Sequence, residues 1–254
     1  MAINTKISWC DHTINLWWGC SKVHTGCKNC YAENLADNRY KKNLWGNNGK
    51  RLRVLSAFKD LDKCQKFAAK ENTISKIFCG SMMDIFEDDF LLENPSEVFF
   101  TTNDLRQELF KRIDLNFYPN LVFLFLTKRP KNIHNLIPET WRNNHPKNVW
   151  FGASVSDQKT YAIMCADLIE LNSTNLFLSC EPQTNLIEIG ANAFSINWII
   201  QGGESGPGKR TFNLNWAYVM KQRCKQANIP FFFKQIDKVL PIPDDLICNE
   251  FPKF

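Results

Sequence analysis

The sequence predicts an α/β fold, a single-domain, partial or irregular βα barrel of TIM type. Three observations carry that expectation. Short apolar runs alternate along the chain with segments of helical periodicity. Small, polar and charged residues follow nearly every apolar run. The chain has 254 residues, a length at which single α/β barrel domains are common.

The apolar runs span residues 14–18, 77–79, 121–126, 149–151, 176–178, 196–200 and 230–233. They are rich in β-branched and aromatic residues and bounded by turn formers, as strands buried in a parallel sheet are. Residues 32–39, 95–110, 158–171 and 215–227 place apolar side chains three or four apart, the spacing of one helix face. Asn94 before Pro95, and Asn213 or Asn215, suit helix starts. The Gly/Asn-rich residues 43–50 read as a surface loop. The domain expected is 1–254, with 241–254 as an irregular C-terminal tail.

The composition, 44% hydrophobic and 22% charged, is that of a folded chain rather than a disordered one. A net charge of +5 permits a phosphate-bearing partner without demanding one. The amino terminus has no apolar run of signal-peptide type, and no stretch reaches transmembrane length. The expectation is a cytoplasmic protein without a membrane partner. Ten cysteines in such a compartment are mostly reduced thiols.

Three of them, Cys20, Cys27 and Cys30, fall within eleven residues. Thiolates so spaced can grip one metal centre. Iron–sulfur clusters are usually held by four cysteines, so three suggest an open iron able to bind a ligand. Zinc is the competing reading, with His24, His12 or Cys10 as a fourth ligand. Spacing alone leaves the two open. Trp17 and Trp18 stand just before the loop and would shield the centre from water.

The residues after each apolar run would share one rim, where parallel α/β folds place their sites. Ser81 and Asp84 follow the second run, Lys128 and Arg129 the third, and Ser154 and Ser156 the fourth. Glu181, with Pro182 after it, follows the fifth. Gly202, Gly203, Glu204 and Gly206 follow the sixth, then Lys209 and Arg210, and Lys234 and Gln235 follow the last. Each has a ligand-binding reading beside a plainer one. Asp84, Ser154 and Ser156 could cap turns or helices, and Gln158 could simply open the next helix. The glycines could serve a tight strand–helix turn. Lys128, Arg129 and Lys234 require anionic neighbours, either protein carboxylates or a substrate.

The run WWGC, KVHTGC, KNCYAE resembles the amino-terminal signature of a phage-associated family of radical-SAM-like proteins with three cysteines and no assigned function. GSMMDIFED, FLTKRP, FGASVSDQ, SCEP, QGGESGPGKR and FFFKQ extend the resemblance along nearly the whole chain. It implies a barrel of radical-SAM type, with Cys20, Cys27 and Cys30 binding a [4Fe–4S] cluster. S-adenosylmethionine would chelate the fourth iron and yield a 5′-deoxyadenosyl radical on one-electron reduction. The sequence departs from the usual pattern, with six residues rather than three between the first two cysteines. Gly202-Gly203-Glu204 also follows the sixth run, not the second.

The resulting expectation is a radical-SAM-type enzyme. Ser81, Asp84, Ser154, Glu181, Gly202, Gly203 and Glu204 are its candidate cofactor- or substrate-binding residues. Its partners would be an external electron donor, a nucleic acid or nucleotide substrate, and a partner protein. The rival readings are a zinc-stabilised nucleic-acid-binding module and a redox iron–sulfur protein indifferent to S-adenosylmethionine.

Overall fold

The computed structural model describes residues 4–93 and 100–254. Among them, seven strands form one all-parallel sheet whose spatial order follows the chain. They are β1 (His12–Ile14), β2 (Ser75–Cys79), β3 (Leu121–Thr127), β4 (Val149–Ser154), β5 (Leu176–Cys180), β6 (Trp198–Gly202) and β7 (Phe231–Gln235). Neighbouring parallel strands need a long crossover. Here the crossovers carry α1 (Ala57–Lys70), α2 (Thr102–Asp114), α3 (Gln158–Ile169) and α4 (Leu214–Ala227). Shorter helical pieces at Ile133–Leu136, Glu139–Asn143 and Ala191–Ser195 serve the remaining connections.

Both sheet faces are buried, and the two-residue period of a strand sorts the side chains between them. Ile77, Cys79, Phe123, Phe125, Phe151, Leu178, Ile199 and Phe233 pack against helix residues such as Leu61, Leu109, Leu168 and Met220. Their neighbours Phe78, Val122, Leu124, Trp150, Phe177, Trp198 and Phe232 meet Trp9 and Cys10 on the opposite face. The Trp9 ring reaches both Phe78 on β2 and Trp198 on β6, at centroid distances of 4.6 and 6.2 Å. In a flat sheet those strands would stand about 19 Å apart. One indole can touch both only because the sheet curls. The fold is therefore a half-barrel flanked by helices, with β1 and β7 unpaired to one another among the described residues.

The tail completes the concave core. Phe254 packs on Trp150 and Trp198, and Phe251 on Trp198 and Phe232. Trp198 Nε1 donates to the Glu250 carbonyl at 2.9 Å. The aromatic side chains of the tail thus cover the amino-terminal ends of the strands, opposite the rim. No helix among the described residues is long and apolar enough to cross a membrane.

A second sheet of three short strands, Trp17–Trp18, Arg51–Arg53 and Leu92–Glu93, lies beside the barrel mouth. Arg51 anchors it. Its fully buried guanidinium grips both oxygens of buried Glu87 at 2.8 and 2.9 Å. It also donates to the carbonyls of Leu44, Gly49 and Lys50. Trp17 Nε1 donates to the same carboxylate at 2.9 Å.

Several sequence expectations are corrected. The single strand over 14–18 is two, His12–Ile14 and Trp17–Trp18, in different sheets. Asn15 interrupts it, its side chain accepting from Met82 N and donating to Ser81 Oγ. The helix over 32–39 is one α-turn, Tyr31–Glu33, continued as π-helix Asn34–Arg39. The start expected at Asn94–Pro95 lies outside the described residues, and α2 begins after a reciprocal Thr101–Asp104 cap. Asn213, not Asn215, caps α4, its side chain accepting from Asn215 N.

Gly203 follows β6 where the chain passes β7. A Cβ there would stand 2.1 Å from the Ile236 carbonyl oxygen and 2.8 Å from Phe212 Cβ, whereas at Gly202 the nearest atoms are 3.4 Å away. Gly203→Ala is therefore expected to destabilise by about 1–3 kcal/mol and Gly202→Ala by clearly less, as read by urea denaturation. Equal effects would refute the close-approach explanation. Glu87→Ala, which strands a buried guanidinium, is expected to cost about 3–5 kcal/mol, and Arg51→Met with Glu87→Leu much less. A loss below about 1 kcal/mol for Glu87→Ala would contradict an anchoring role.

Candidate functional site

The carboxyl ends of the strands open onto a cavity of about 220 Å³. Its floor is apolar, formed by Ile7, Trp9, Phe78 and Leu126 from the concave face. One wall is the loop after β1, which brings Cys20, Cys27 and Cys30 to the same cavity. The sequence expectation of a common rim holds for Ser81, Asp84, Ser154, Glu181, Gly203 and Glu204, which all line it. Gly202 does not. Its carbonyl accepts from Gln183 N at 2.9 Å, behind the cavity wall.

The cysteine loop is tied down at several points. His24 Nδ1 accepts from Gly26 N at 3.0 Å, so the neutral ring presents Nε2–H to the Ser154 carbonyl at 3.3 Å. Burial, with Lys128 nearby, lowers the His24 pKa to about 4, which keeps the ring neutral. Thr25 Oγ1 donates to Asp157, the residue that caps α3. A Cβ on Gly26 would stand 2.0 Å from Ser156 Oγ, so the loop lies hard against the end of β4. Asn29 donates to Glu204 at 2.9 Å and to the Gly208 carbonyl at 2.8 Å, joining the loop to the segment after β6. The Trp45 backbone bridges Cys20, and Gly46 N donates to the Cys20 carbonyl at 2.9 Å.

Most charged rim residues are engaged with each other. The buried Asp84 carboxylate accepts from Thr127 Oγ1 at 2.6 Å, Phe86 N at 3.0 Å and Lys128 N at 3.1 Å. It pairs with Arg129 at 2.9 Å. Arg129 reaches on to the Ser21 carbonyl and hydroxyl, at 3.0 and 2.7 Å, and lies 3.9 Å from Cys20 Sγ. Burial opposes the Arg129 charge, but Asp84 and Cys20 more than compensate and raise its pKa. Glu181 pairs with Lys234. Glu204 pairs with Arg210, and although burial works against it, that guanidinium and Asn29 hold its carboxyl below the usual range. The anionic neighbours expected for Arg129 and Lys234 are thus protein carboxylates. Lys128 lines the cavity half-buried and makes no ion pair among the described residues.

Ser81 Oγ accepts from Asn15, and Ser154 Oγ donates to the Glu181 carbonyl at 3.1 Å. Ser156 is not the helix cap: Asp157 caps α3, and Ser156 Oγ is buried without a partner among the described residues. Trp9 and Ser179 were not legible as site residues. Both line the cavity, and the buried Trp9 Nε1 and Ser179 Oγ have no hydrogen-bond partner among the described residues. The signal for Trp9 is the apolar ISWC segment leading into β1; Ser179 looks like any small strand-end residue.

Burial, then the Asp84 and Glu87 charges, push the Cys20 thiol up to about 12, and burial raises Cys30 as well. The thiols share a cavity without meeting at one point. No group of three or more His, Cys, Asp or Glu side chains stands at single-ion geometry among the described residues. The zinc ligands considered from the sequence are otherwise placed. Both nitrogens of His24 are hydrogen-bonded, Cys10 lies in the concave core, and His12 on β1 accepts from Asn4 N.

Comparison with known proteins corrects the family resemblance drawn from the motifs. No curated protein matches the chain. The family model that matches bears no radical-SAM description and no phage association. It spans residues 4–242, and the chain belongs to the family described as Protein of unknown function (DUF5131).

Proposed function

We propose that the protein is an enzyme of radical-SAM type, with Cys20, Cys27 and Cys30 holding a [4Fe–4S] cluster and S-adenosylmethionine bound beside it. The observation that carries the reading is the position of all three thiols on one wall of the cavity at the strand carboxyl ends. A four-iron cluster takes its thiolates on separate irons, so its ligands need not meet at a point as those of zinc must. A half-barrel open on this side suits the finer assignment, a barrel of radical-SAM type. When bound, the cluster and S-adenosylmethionine supply one-electron cleavage of the sulfonium and a 5′-deoxyadenosyl radical.

The chain's own residues do the rest. Arg129, fixed by Asp84, braces the backbone of Ser21 and so sets Cys20. His24 and Asn29 pin the loop that carries Cys27 and Cys30 to the ends of β4 and β6. Trp9, Phe78 and Leu126 close the floor against water. Lys128 offers a cation to an anionic group of cofactor or substrate. An external electron donor is required, and a partner protein and cytoplasmic location accord with such chemistry.

The test uses the full chain reconstituted without oxygen. About four irons per chain are expected, with an electron paramagnetic resonance signal that changes when S-adenosylmethionine is added. Cys27→Ala should lose that iron while His24→Ala keeps it, because His24 supports the loop and does not ligate. One zinc without iron would overturn the reading in favour of a zinc-stabilised module. Four irons indifferent to S-adenosylmethionine would overturn it in favour of a redox protein.

A further inference from the structure

The net charge of +5 is not spread over the molecule. Residues 20–53 contain eight Lys or Arg and two Asp or Glu, so the rest of the chain carries a net charge of −1. This segment is the insertion between β1 and β2 that includes the cysteine loop. Part of its charge is structural: Arg51 is buried against Glu87, and Lys22 and Lys50 pair with Glu33 and Glu93. Lys28, Lys41 and Lys42 are exposed and form no ion pair among the described residues. Aromatic side chains are interleaved with them. Tyr40 is 47% exposed and stacks on Trp18, with centroids 6.2 Å apart and planes 26° apart. The Arg39 guanidinium stands 5.7 Å from the Tyr40 ring centre. Tyr31 lines the cavity mouth at 50% exposure, its hydroxyl held by the Ser81 carbonyl at 2.7 Å.

Lysines free of partners beside half-exposed rings are the two elements from which single-stranded nucleic acid sites are made. The cations track the phosphates, and the rings stack on unpaired bases. A duplex hides the base faces that Tyr40 and Tyr31 would stack on, and the insertion offers only a short helix, Tyr31–Glu33 with its π-helical continuation, to place in a groove. We infer that residues 28–42 bind a single strand of nucleic acid and lead one of its nucleotides past Tyr31 into the cavity. Lys128, unpaired on the cavity wall, then faces that nucleotide's phosphate. The inference names the substrate class of the cavity and rests on the preceding reading for the chemistry. Binding itself requires neither cofactor nor turnover.

The experiment is fluorescence anisotropy on the full chain, isolated without oxygen, with labelled 15-nucleotide RNA, DNA and duplex DNA at several salt concentrations. Single strands should bind more tightly than duplex, and the RNA and DNA arms identify the natural polymer. K41A with K42A should weaken binding and make the salt slope shallower by about 1.4. Tyr40→Ala should weaken it about 5- to 150-fold at unchanged slope, and Tyr40→Phe should restore it. Absence of binding, duplex bound as tightly as single strand, or equal binding of polyglutamate would overturn the inference. None of these outcomes bears on iron content or the response to S-adenosylmethionine, so the two readings fail separately.

Discussion

The buried pair of Arg51 and Glu87 holds the functional end of the molecule together. Burying two charges is costly, and the cost is met only where hydrogen bonds use every donor and acceptor well. A guanidinium can do this because its fork grips both carboxylate oxygens and still has donors left over. Those donors go to the carbonyls of Leu44, Gly49 and Lys50. The turn so fixed supplies Trp45, whose backbone bridges Cys20, and Gly46, whose N–H binds the Cys20 carbonyl. Glu87 in turn accepts from Trp17. Residues from three parts of the chain thus meet at one ion pair, and the position of the first cysteine follows from it. A lysine at position 51 could reach Glu87 but could not also close the turn.

The curl of the sheet sets the second constraint. With both faces buried, polar chemistry has no place along the strands and is confined to their carboxyl ends. There the carboxylates that look most like ligand-binding groups in the sequence are spent on the frame. Asp84 ties the end of β2 to the end of β3, Glu181 ties β5 to β7, and Glu204 ties the segment after β6 to the cysteine loop. The cavity-lining charges without an ion pair among the described residues are a different set, Lys128 and Lys238.

Much of the architecture was legible because burial on both faces leaves a plain signature. The runs at 77–79, 121–126, 149–151, 176–178, 196–200 and 230–233 each fall on a strand of the sheet, with ends shifted by a few residues. The run at 14–18 misled because its one polar residue, Asn15, stands among apolar ones, yet it turns the chain from one sheet to another through bonds to residues near 81. The π-helix has the same periodic cues as an α-helix over so short a span. The cysteine loop stood out by spacing alone. Its supports did not, because they are long-range: Arg129 acts on Ser21 across 108 residues, and Asn29 on Glu204 across 175. The Gly-Gly-Glu run drew notice for ligand binding, yet Gly203 answers to the Ile236 carbonyl and Glu204 to Arg210.

These facts separate frame from chemistry along the chain. From β2 onward most charged rim residues are paired with one another, and residues 75–254 carry a net charge of only −2. The segment 20–53 between β1 and β2 carries the three cavity cysteines, three of the exposed lysines without an ion pair among the described residues, and the half-exposed Tyr31 and Tyr40. It is also the segment that Arg51 and Glu87 fasten to the barrel. Under the proposed reading, a single anchored insertion would hold the cysteine wall and the lysine–tyrosine surface in fixed relation. The distance from surface to cavity is then set by the loop's own hydrogen bonds, Tyr31 to Ser81 and Asn29 to Glu204, and not by motion between domains. Under the proposal, such a site would select its substrate by what can thread past Tyr31, which favours a flexible strand over a rigid duplex.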